Sequence, residues 1–314
     1  MLPFRGAVGL MIAIATPSVV AAQTGYYNLD SGHPTRIEDA VATPRYELEA
    51  QLFPAKLEVL SDGTQRFRLE PKLSYGVLPL TEIEVRVPIV FARSPTSVPT
   101  AGVASIGVGA LHAWNVETRW PAFALAAEAV LPVGSLAATT GSYSVKGLMT
   151  KTLRFARVQV NVAGGTWSAP PSTTSAVSGG TLCGNAPGVP PCLIPDVPCN
   201  IVPTSLTTAS AVACMPAAAS VAPASPATTG AHWMAAVGID HTWPLISTLV
   251  VADVVVDRFG GLYPLDDWTA EMGLRHQVAP QLVLDFGISR RFAGTTQSTS
   301  VTLGLSYSTP LRRG

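Results

Sequence analysis

The sequence predicts an all-β fold, a transmembrane antiparallel β-barrel of about twelve strands. Three observations lead to this prediction. Long stretches of the chain alternate apolar and polar side chains with a period of two, which is the period of a β-strand. Hydrophobic residues make up 47% of the chain and charged residues only 13%. The chain also holds 27 glycines and 27 prolines, which suit many turns and argue against long helices.

The stretch Thr64–Phe91 shows the alternation most clearly and is predicted to be a hairpin that turns at Gly76–Leu80. One face is apolar and the other is charged. The apolar face comprises Phe67, Leu69, Pro71, Leu73, Tyr75, Ile83, Val85, Val87 and Ile89. A soluble sandwich could show the same pattern with the apolar face in its core. The rest of the chain favours the opposite arrangement, with the apolar face in lipid and the charged face lining a lumen.

Residues 1–22 are expected to be a secretory signal peptide. Arg5 supplies a positive charge, Ala7–Ala15 is an apolar core, and small residues at 20–22 suit cleavage. An uncleaved anchor helix is disfavoured because the apolar run is short and Pro17 interrupts it. An exported chain of this composition without spanning helices has one membrane solution, a closed barrel in the bacterial outer membrane.

The remaining chain is predicted to divide into a periplasmic lead-in at 23–43, a barrel at 44–309 and a C-terminal tail at 310–314. Short turns alternate with longer loops, which places both termini in the periplasm. Pro54–Gly63 is expected to be a loop before the opening hairpin. Residues 168–229 are rich in Pro, Ser, Thr, Ala and Gly and lack periodicity, so they are predicted to be one long extracellular loop.

Charged residues on the inward positions of the predicted strands are the candidate site of transport. They are Glu47, Glu49, Arg66, Arg68, Glu70, Lys72, Glu82, Glu84, Arg86, Arg157, Glu271, Arg275 and Asp285. They could line a conducting pore, or they could pair across a narrow lumen and help to seal it. Arg68 and Arg86 are expected to face Glu residues on neighbouring strands.

All the cysteines lie in the long loop. They are Cys183, Cys192, Cys199 and Cys214. An even set in an exported chain predicts two disulfides, with three possible pairings. No C-x-x-C pair occurs, so a zinc site is not expected. The bridges would either staple an extracellular cap or protect the loop from proteolysis.

The sequence does not indicate a catalytic function, a cofactor or nucleic-acid binding. Basic and acidic residues balance at 20 each, so no electrostatic partner such as nucleic acid is indicated. The chain has five histidines but no G-x-S-x-G nucleophile elbow. We therefore expect no enzyme, no metal and no cofactor, although a hydrolase in the barrel wall stays a minor alternative.

Two motifs resemble an outer-membrane transporter family that is linked to the meta-pathway of phenol degradation. They are PTRIEDA at Pro34–Ala40 and FRLEPKLSYGVLPLTEIEVRVPIV at Phe67–Val90. The resemblance implies a β-barrel that takes up small, hydrophobic or aromatic compounds, and it supplies no catalytic or ligand residues. A structural or adhesive barrel whose long loop meets a partner is the alternative function.

Two further partners are expected from the barrel architecture. The apolar exterior would contact outer-membrane lipid. The last strand, VTLGLSYS, resembles the C-terminal signal that the barrel assembly machinery reads, with Tyr307 as its aromatic residue. Six residues from Thr309 to Gly314 follow in place of the usual terminal aromatic.

Overall fold

The computed structural model describes residues 28–29, 33–95, 98–138, 140–168, 229–241, 247–260, 266–294 and 296–311. The predicted signal peptide and the predicted cysteine-containing loop, with all four cysteines, lie outside these residues. Within this part of the chain the regular structure is entirely β. None of these residues forms a helix long and apolar enough to cross a membrane.

Sixteen β-segments make up the described wall. The first eight are β1 (Glu47–Gln51), β2 (Ala55–Leu60), β3 (Gln65–Leu69), β4 (Lys72–Leu78), β5 (Thr81–Arg86), β6 (Ile89–Arg93), β7 (Thr100–Val103) and β8 (Ile106–Ala113). The others are β9 (Ala122–Leu131), β10 (Ser142–Thr152), β11 (Arg157–Ser168), β12 (Thr229–His241), β13 (Thr248–Phe259), β14 (Asp267–Ala279), β15 (Leu282–Ala293) and β16 (Ser298–Pro310).

These segments form one closed antiparallel barrel of twelve wall strands. Each of the pairs β1/β2, β3/β4, β5/β6 and β7/β8 is one wall strand with a short interruption, and β9 to β16 are one strand each. The last strand closes the barrel because β16 pairs with β1 along its C-terminal half and with β2 along its N-terminal half. The prediction of a twelve-stranded all-β barrel is therefore confirmed.

Prolines mark three of the four interruptions. Pro54, Pro71 and Pro88 lie side by side in neighbouring strands, where their missing N–H groups leave the ladder incomplete. The carbonyl of each proline still accepts a hydrogen bond from the next strand. The N–H groups of Glu70 and Val87 donate to the carbonyls of Pro54 and Pro71 at 3.0 Å. The wall thus stays joined across the row of prolines.

The exterior of the barrel is apolar, as the alternation predicts. Leu73, Ile83 and Val85 are exposed, whereas Lys72, Ser74 and Glu82 beside them are buried in the interior. Side chains alternate across a strand, so the same segment supplies both surfaces. An apolar exterior with a closed hydrogen-bonded wall is the form in which β-strands cross a lipid bilayer.

Two expectations differ from the structure. Residues 55–60, expected as part of a loop, form β2, whose Lys56 and Glu58 face inward while Leu57 and Val59 are exposed. The short alternating run AKLEVL lies between Pro54 and a turn at 61–64, so it resembles a loop although it continues the first wall strand. The second difference concerns the predicted periplasmic lead-in, whose described residues lie inside the barrel.

Candidate functional site

Residues 33–43 fold back into the lumen, and we call them the plug. Ile37 and Asp39 have no exposed surface, and His33 and Ala40 are 2% exposed. Leu29 is hydrogen-bonded to the plug: its N–H donates to Asp39 Oδ2 at 3.0 Å, and its carbonyl accepts from the Asp39 N–H at 3.1 Å. The chain therefore makes a loop inside the barrel before it enters the wall at β1.

Wall side chains satisfy the backbone of the plug. The N–H groups of Arg36 and Ile37 donate to Glu271 Oε2 at 2.6 Å and to Asp253 Oδ2 at 2.9 Å. Asn161 binds both backbone groups of Glu38, accepting its N–H at 2.9 Å and donating to its carbonyl at 2.8 Å. Buried backbone groups need such partners, and an irregular segment finds them only on side chains.

Two further wall side chains bind the C-terminal end of the plug. The N–H of Ala40 donates to Thr150 Oγ1 at 2.8 Å, and that of Thr43 donates to Glu82 Oε2 at 2.6 Å. These anchors lie on β10 and β5, so the plug crosses the lumen from one side of the wall to the other.

Ion pairs reinforce the plug. Arg36 Nη1 lies 2.6 Å from Asp257 Oδ2. Glu38 Oε2 lies 2.6 Å from Lys146 Nζ, and Asp39 Oδ2 lies 3.3 Å from Arg157 Nη1. Since these charges are largely removed from bulk water, the pairing offsets part of the cost of burying them.

Inward-facing glycines make room for the plug backbone. A Cβ on Gly287 would lie 2.1 Å from the carbonyl oxygen of Pro34, and one on Gly273 would lie 2.5 Å from Pro34 Cβ. A Cβ on Gly238 would lie 2.8 Å from Ile37 Cγ1. We call these three glycines the glycine sockets, because a larger residue at any of them overlaps the plug.

Apolar side chains pack around the plug at two places. Leu29 and Ile37 belong to a buried cluster that includes Leu249, Val251 and Val255. A second cluster surrounds the C-terminal part of the plug and comprises Ala40, Ala42, Leu111, Ala113, Ala122, Ala124 and Leu148. The plug is therefore held by apolar burial as well as by polar contacts.

A cavity of about 250 Å³ remains beside the plug. Its wall side lies mainly on β2 to β5 with β8 and β9, which we call the cavity half, and residues of β1, β10 and β16 complete it. The strands β11 to β15, which carry most of the plug contacts, are called the plug half. Charged residues dominate the lining: Arg36, Glu38, Lys56, Arg68, Glu70, Lys72, Glu84, Arg86, Glu128 and Lys146. Leu111 and Ala126 add a small apolar surface.

The thirteen candidate lumen residues all have interior positions but separate into three groups. Glu82, Arg157, Glu271 and Asp285 contact the plug, the last through His33 at 3.3 Å. Arg68, Glu70, Lys72, Glu84 and Arg86 line the cavity. Glu47, Glu49 and Arg66 lie elsewhere on the interior face, and Arg275, fully buried, lies 3.6 Å from Asp285. Their role in transport stays a prediction.

The sequence predicts that Arg68 and Arg86 each face a Glu residue on a neighbouring strand, and this is found for Arg86 only. Arg86 lies between Glu128, with its Nε at 2.6 Å, and Glu70, with its Nη1 at 3.0 Å. Arg68 instead lies directly opposite Lys56 on the neighbouring strand. Its carboxylate contact is with Glu70, on the same wall strand, at 3.6 Å.

Sequence reasoning missed several polar residues of the interior. Asp253 and Asp257 share one face of β13, and their spacing in VADVVVD is the signal that could have revealed them. Lys56 was missed because its segment was assigned to a loop. The plug residues Arg36, Glu38 and Asp39 carry no strand periodicity, so the pattern gave no sign of burial.

Four histidines that the structure describes contact carboxylates, an amide and threonine hydroxyls. His33 lies 2.8 Å from Gln51 and 3.3 Å from Asp285, and His232 lies 3.2 Å from Asp257. His112 and His276 each contact a threonine hydroxyl at 2.8 Å. Among the described residues, no group of three or more His, Cys, Asp or Glu side chains could hold a metal ion.

No protein-family model and no curated relative matches the sequence. Among solved structures, an outer membrane channel from Pseudomonas putida F1 is similar with a TM-score of 0.53 and 10% identity, over 90% of this chain and 100% of that chain. The NanC porin has a TM-score of 0.47 and 6% identity, over 83% and 98%. The CymD monoaromatic hydrocarbon channel has a TM-score of 0.39 and 7% identity, over 86% and 90%.

The closed wall, the apolar exterior and the similarity of fold to an outer membrane channel define the class. The chain has the fold of a porin-like outer-membrane β-barrel. Residues 33–43 of the chain partly fill its own lumen.

Proposed function

We propose that this barrel is a channel for the uptake of small, hydrophobic or aromatic compounds. The observation that carries the proposal is the cavity of about 250 Å³ that the lumen keeps beside the plug. A barrel with only a structural or adhesive role would be more stable if side chains filled this cavity, since an unfilled interior volume loses packing contacts. A small compound fits a space of this size.

The plug is the gate in this proposal. It is held by hydrogen bonds and ion pairs of 2.6 to 3.3 Å with β5, β10, β11, β13 and β14. Contacts of this kind break and re-form without chemical change. The substrate class follows from the sequence resemblance, and the apolar surface at Leu111 and Ala126 supports it.

Entry of an apolar probe into cells tests the proposal. The full chain is expressed in a porin-deficient Gram-negative host, and the fluorescence rise of N-phenyl-1-naphthylamine is followed. The expected result is faster probe entry than in the same host with the empty vector, at equal growth. A hydrophilic dye of similar mass serves as the comparison and should gain less.

Equal probe entry with and without the barrel would contradict the proposal. The structural or adhesive alternative, in which the loop 168–229 meets a partner, would then be favoured. Outer-membrane lipid contacts the exterior in either case. Recognition of the final strand by the barrel assembly machinery is a separate proposal, supported by the outward position of Tyr307 on β16.

A further inference from the structure

The cavity carries more positive than negative charge. Six cationic side chains line it: Arg36, Lys56, Arg68, Lys72, Arg86 and Lys146. Four carboxylates line it as well: Glu38, Glu70, Glu84 and Glu128. Charged groups in a space shielded from water are normally paired, so the excess needs an explanation.

Most of these charges have partners. Lys146 pairs with Glu38 at 2.6 Å, and Lys72 pairs with Glu84 at 3.1 Å. Arg36 pairs with Asp257 on β13 at 2.6 Å.

The two remaining carboxylates serve two arginines. Glu128 binds Arg86, and Glu70 is shared between Arg86 at 3.0 Å and Arg68 at 3.6 Å. The four lining carboxylates are therefore all engaged.

Among the cations that line the cavity, Lys56 is the one to which no described carboxylate is paired. It makes no hydrogen bond or ion pair with any described residue. The two carboxylates that attract it through space, Glu271 and Glu58, are held by arginines. Glu271 binds Arg36, and Glu58 lies 3.3 Å from Arg291.

The neighbour of Lys56 increases the imbalance. Arg68 lies directly opposite Lys56 on β3, and like charges in this relation destabilise a strand pair. The side chain of Arg68 is 58% exposed, so its guanidinium remains accessible to a ligand. On the other side, Thr302 of β16 is opposite Lys56 and supplies a hydroxyl at the same cavity.

We propose that Lys56 and Arg68 form an anion subsite that binds the carboxylate of a small organic acid in the lumen. One carboxylate offers two oxygens, which suit the fork of Arg68 and the ammonium of Lys56 together. The apolar part of the ligand lies against Leu111 and Ala126 across the cavity. The inference rests on the proposed function and narrows its substrates to aromatic or apolar compounds that carry a single negative charge.

Equilibrium binding tests the subsite without requiring transport. The purified full chain in detergent is titrated with 4-fluorobenzoate and, separately, with neutral 4-fluorobenzamide, and the ¹⁹F signal reports binding. The expected result is saturable binding of the benzoate and at least tenfold weaker binding of the benzamide, because a hydrogen bond to a charged group is lost. Equal affinity for the two probes would overturn the proposal.

Matched variants locate the site. Lys56→Gln and Arg68→Gln should each weaken benzoate binding about tenfold and leave benzamide binding unchanged. Lys56→Arg keeps the charge and should retain binding. Lys151→Gln removes a lysine at the short turn, where Lys151 pairs with Glu117, and should have no effect.

The folded state of each variant is checked by its heat-modifiable mobility on gels. Arg68→Gln keeps the test decisive if Lys56→Gln fails to fold, since Arg68 is more than half exposed. Benzoate affinity that is unchanged in folded Arg68→Gln overturns the proposal. Selective benzoate binding in a barrel that passes neither the neutral probe nor benzoate supports the subsite and refutes the channel function, so the two failures are distinguishable.

Discussion

In the plug half of the lumen, two wall carboxylates accept hydrogen bonds from the backbone of the plug, whereas in the cavity half two others pair with a lysine and an arginine of the wall. Asp253 and Glu271 illustrate the first use. Glu84 and Glu128 illustrate the second, with Lys72 and Arg86 as partners. Glu82 of β5 is an exception, since it lies in the cavity half and binds the Thr43 N–H of the plug. The same residue type therefore immobilises a peptide segment on one side and shapes an open space on the other. The difference predicts that changes in the two halves will have separable effects.

The largest effect is expected from filling a glycine socket. Gly287→Leu places side-chain atoms where the plug backbone lies, since a Cβ alone would be 2.1 Å from the Pro34 carbonyl oxygen. The plug should leave the plug half, and single-channel conductance in planar bilayers should rise strongly while the barrel stays folded.

Gly164→Leu is the matched control for that experiment. Gly164 is an exposed wall glycine, and a Cβ there meets nothing within 4 Å. Its conductance should equal that of the native chain. If Gly287→Leu also conducts like the native chain, the plug does not limit ion flow.

A charge on the outer surface should have the next largest effect. Leu73→Arg puts a cation on an exposed apolar position of β4 and should destabilise folding into lipid vesicles by about 2–4 kcal/mol. Arg68→Gln, which changes the interior of the adjoining segment, should cost much less. Guanidinium titrations of both variants give the comparison, and similar losses would contradict the assignment of the two faces.

A smaller and local effect is expected from loosening one plug contact. Asp253→Ala removes the acceptor of the Ile37 N–H, and a buried unsatisfied donor costs about 1–3 kcal/mol. Hydrogen exchange of peptides covering the plug should accelerate. Asp253→Asn keeps an acceptor oxygen and should restore slow exchange.

Glu84→Ala supplies the comparison from the cavity half. It removes the partner of Lys72 without touching the plug, so plug exchange should stay slow. Rapid plug exchange in Glu84→Ala would show that the two halves are coupled rather than separate.

The smallest effect on the barrel is expected from the cysteines. Two disulfides are predicted among Cys183, Cys192, Cys199 and Cys214, each able to stabilise its loop by roughly 2–4 kcal/mol. Reduction should leave the barrel folded because strand pairing holds it independently. Mass spectrometry of the unreduced protein should show four fewer hydrogens than four free thiols require, and four free thiols would refute the prediction.

The wall could be predicted from sequence because its information is local. Alternation within each strand assigns every side chain to one surface. A shift of the strand register by one residue would turn the whole charged face outward. This logic gave the hairpin from Thr64 to Phe91 and the number of wall strands. It failed at β2, where the alternating run is short and bounded by a proline and a turn.

The interior could not be predicted to the same degree because its contacts join distant parts of the chain. The plug residue Ile37 meets Asp253, which is 216 positions away. Alternation shows that a carboxylate faces inward but does not show whether it meets an arginine or a backbone N–H. The plug itself is polar and aperiodic, so its burial depends on partners contributed by the wall.

The direct connection between the plug and β1 has a consequence for binding. Thr43 is fixed at Glu82, and four residues later the chain becomes a wall strand, so a released plug remains within a few residues of its docking surface. A short tether of this kind corresponds to an effective local concentration of about millimolar. Contacts that would be too weak for a free peptide can therefore keep the lumen occupied. A synthetic peptide of residues 33–43 would need to reach about millimolar concentration to block a barrel from which the plug had been removed.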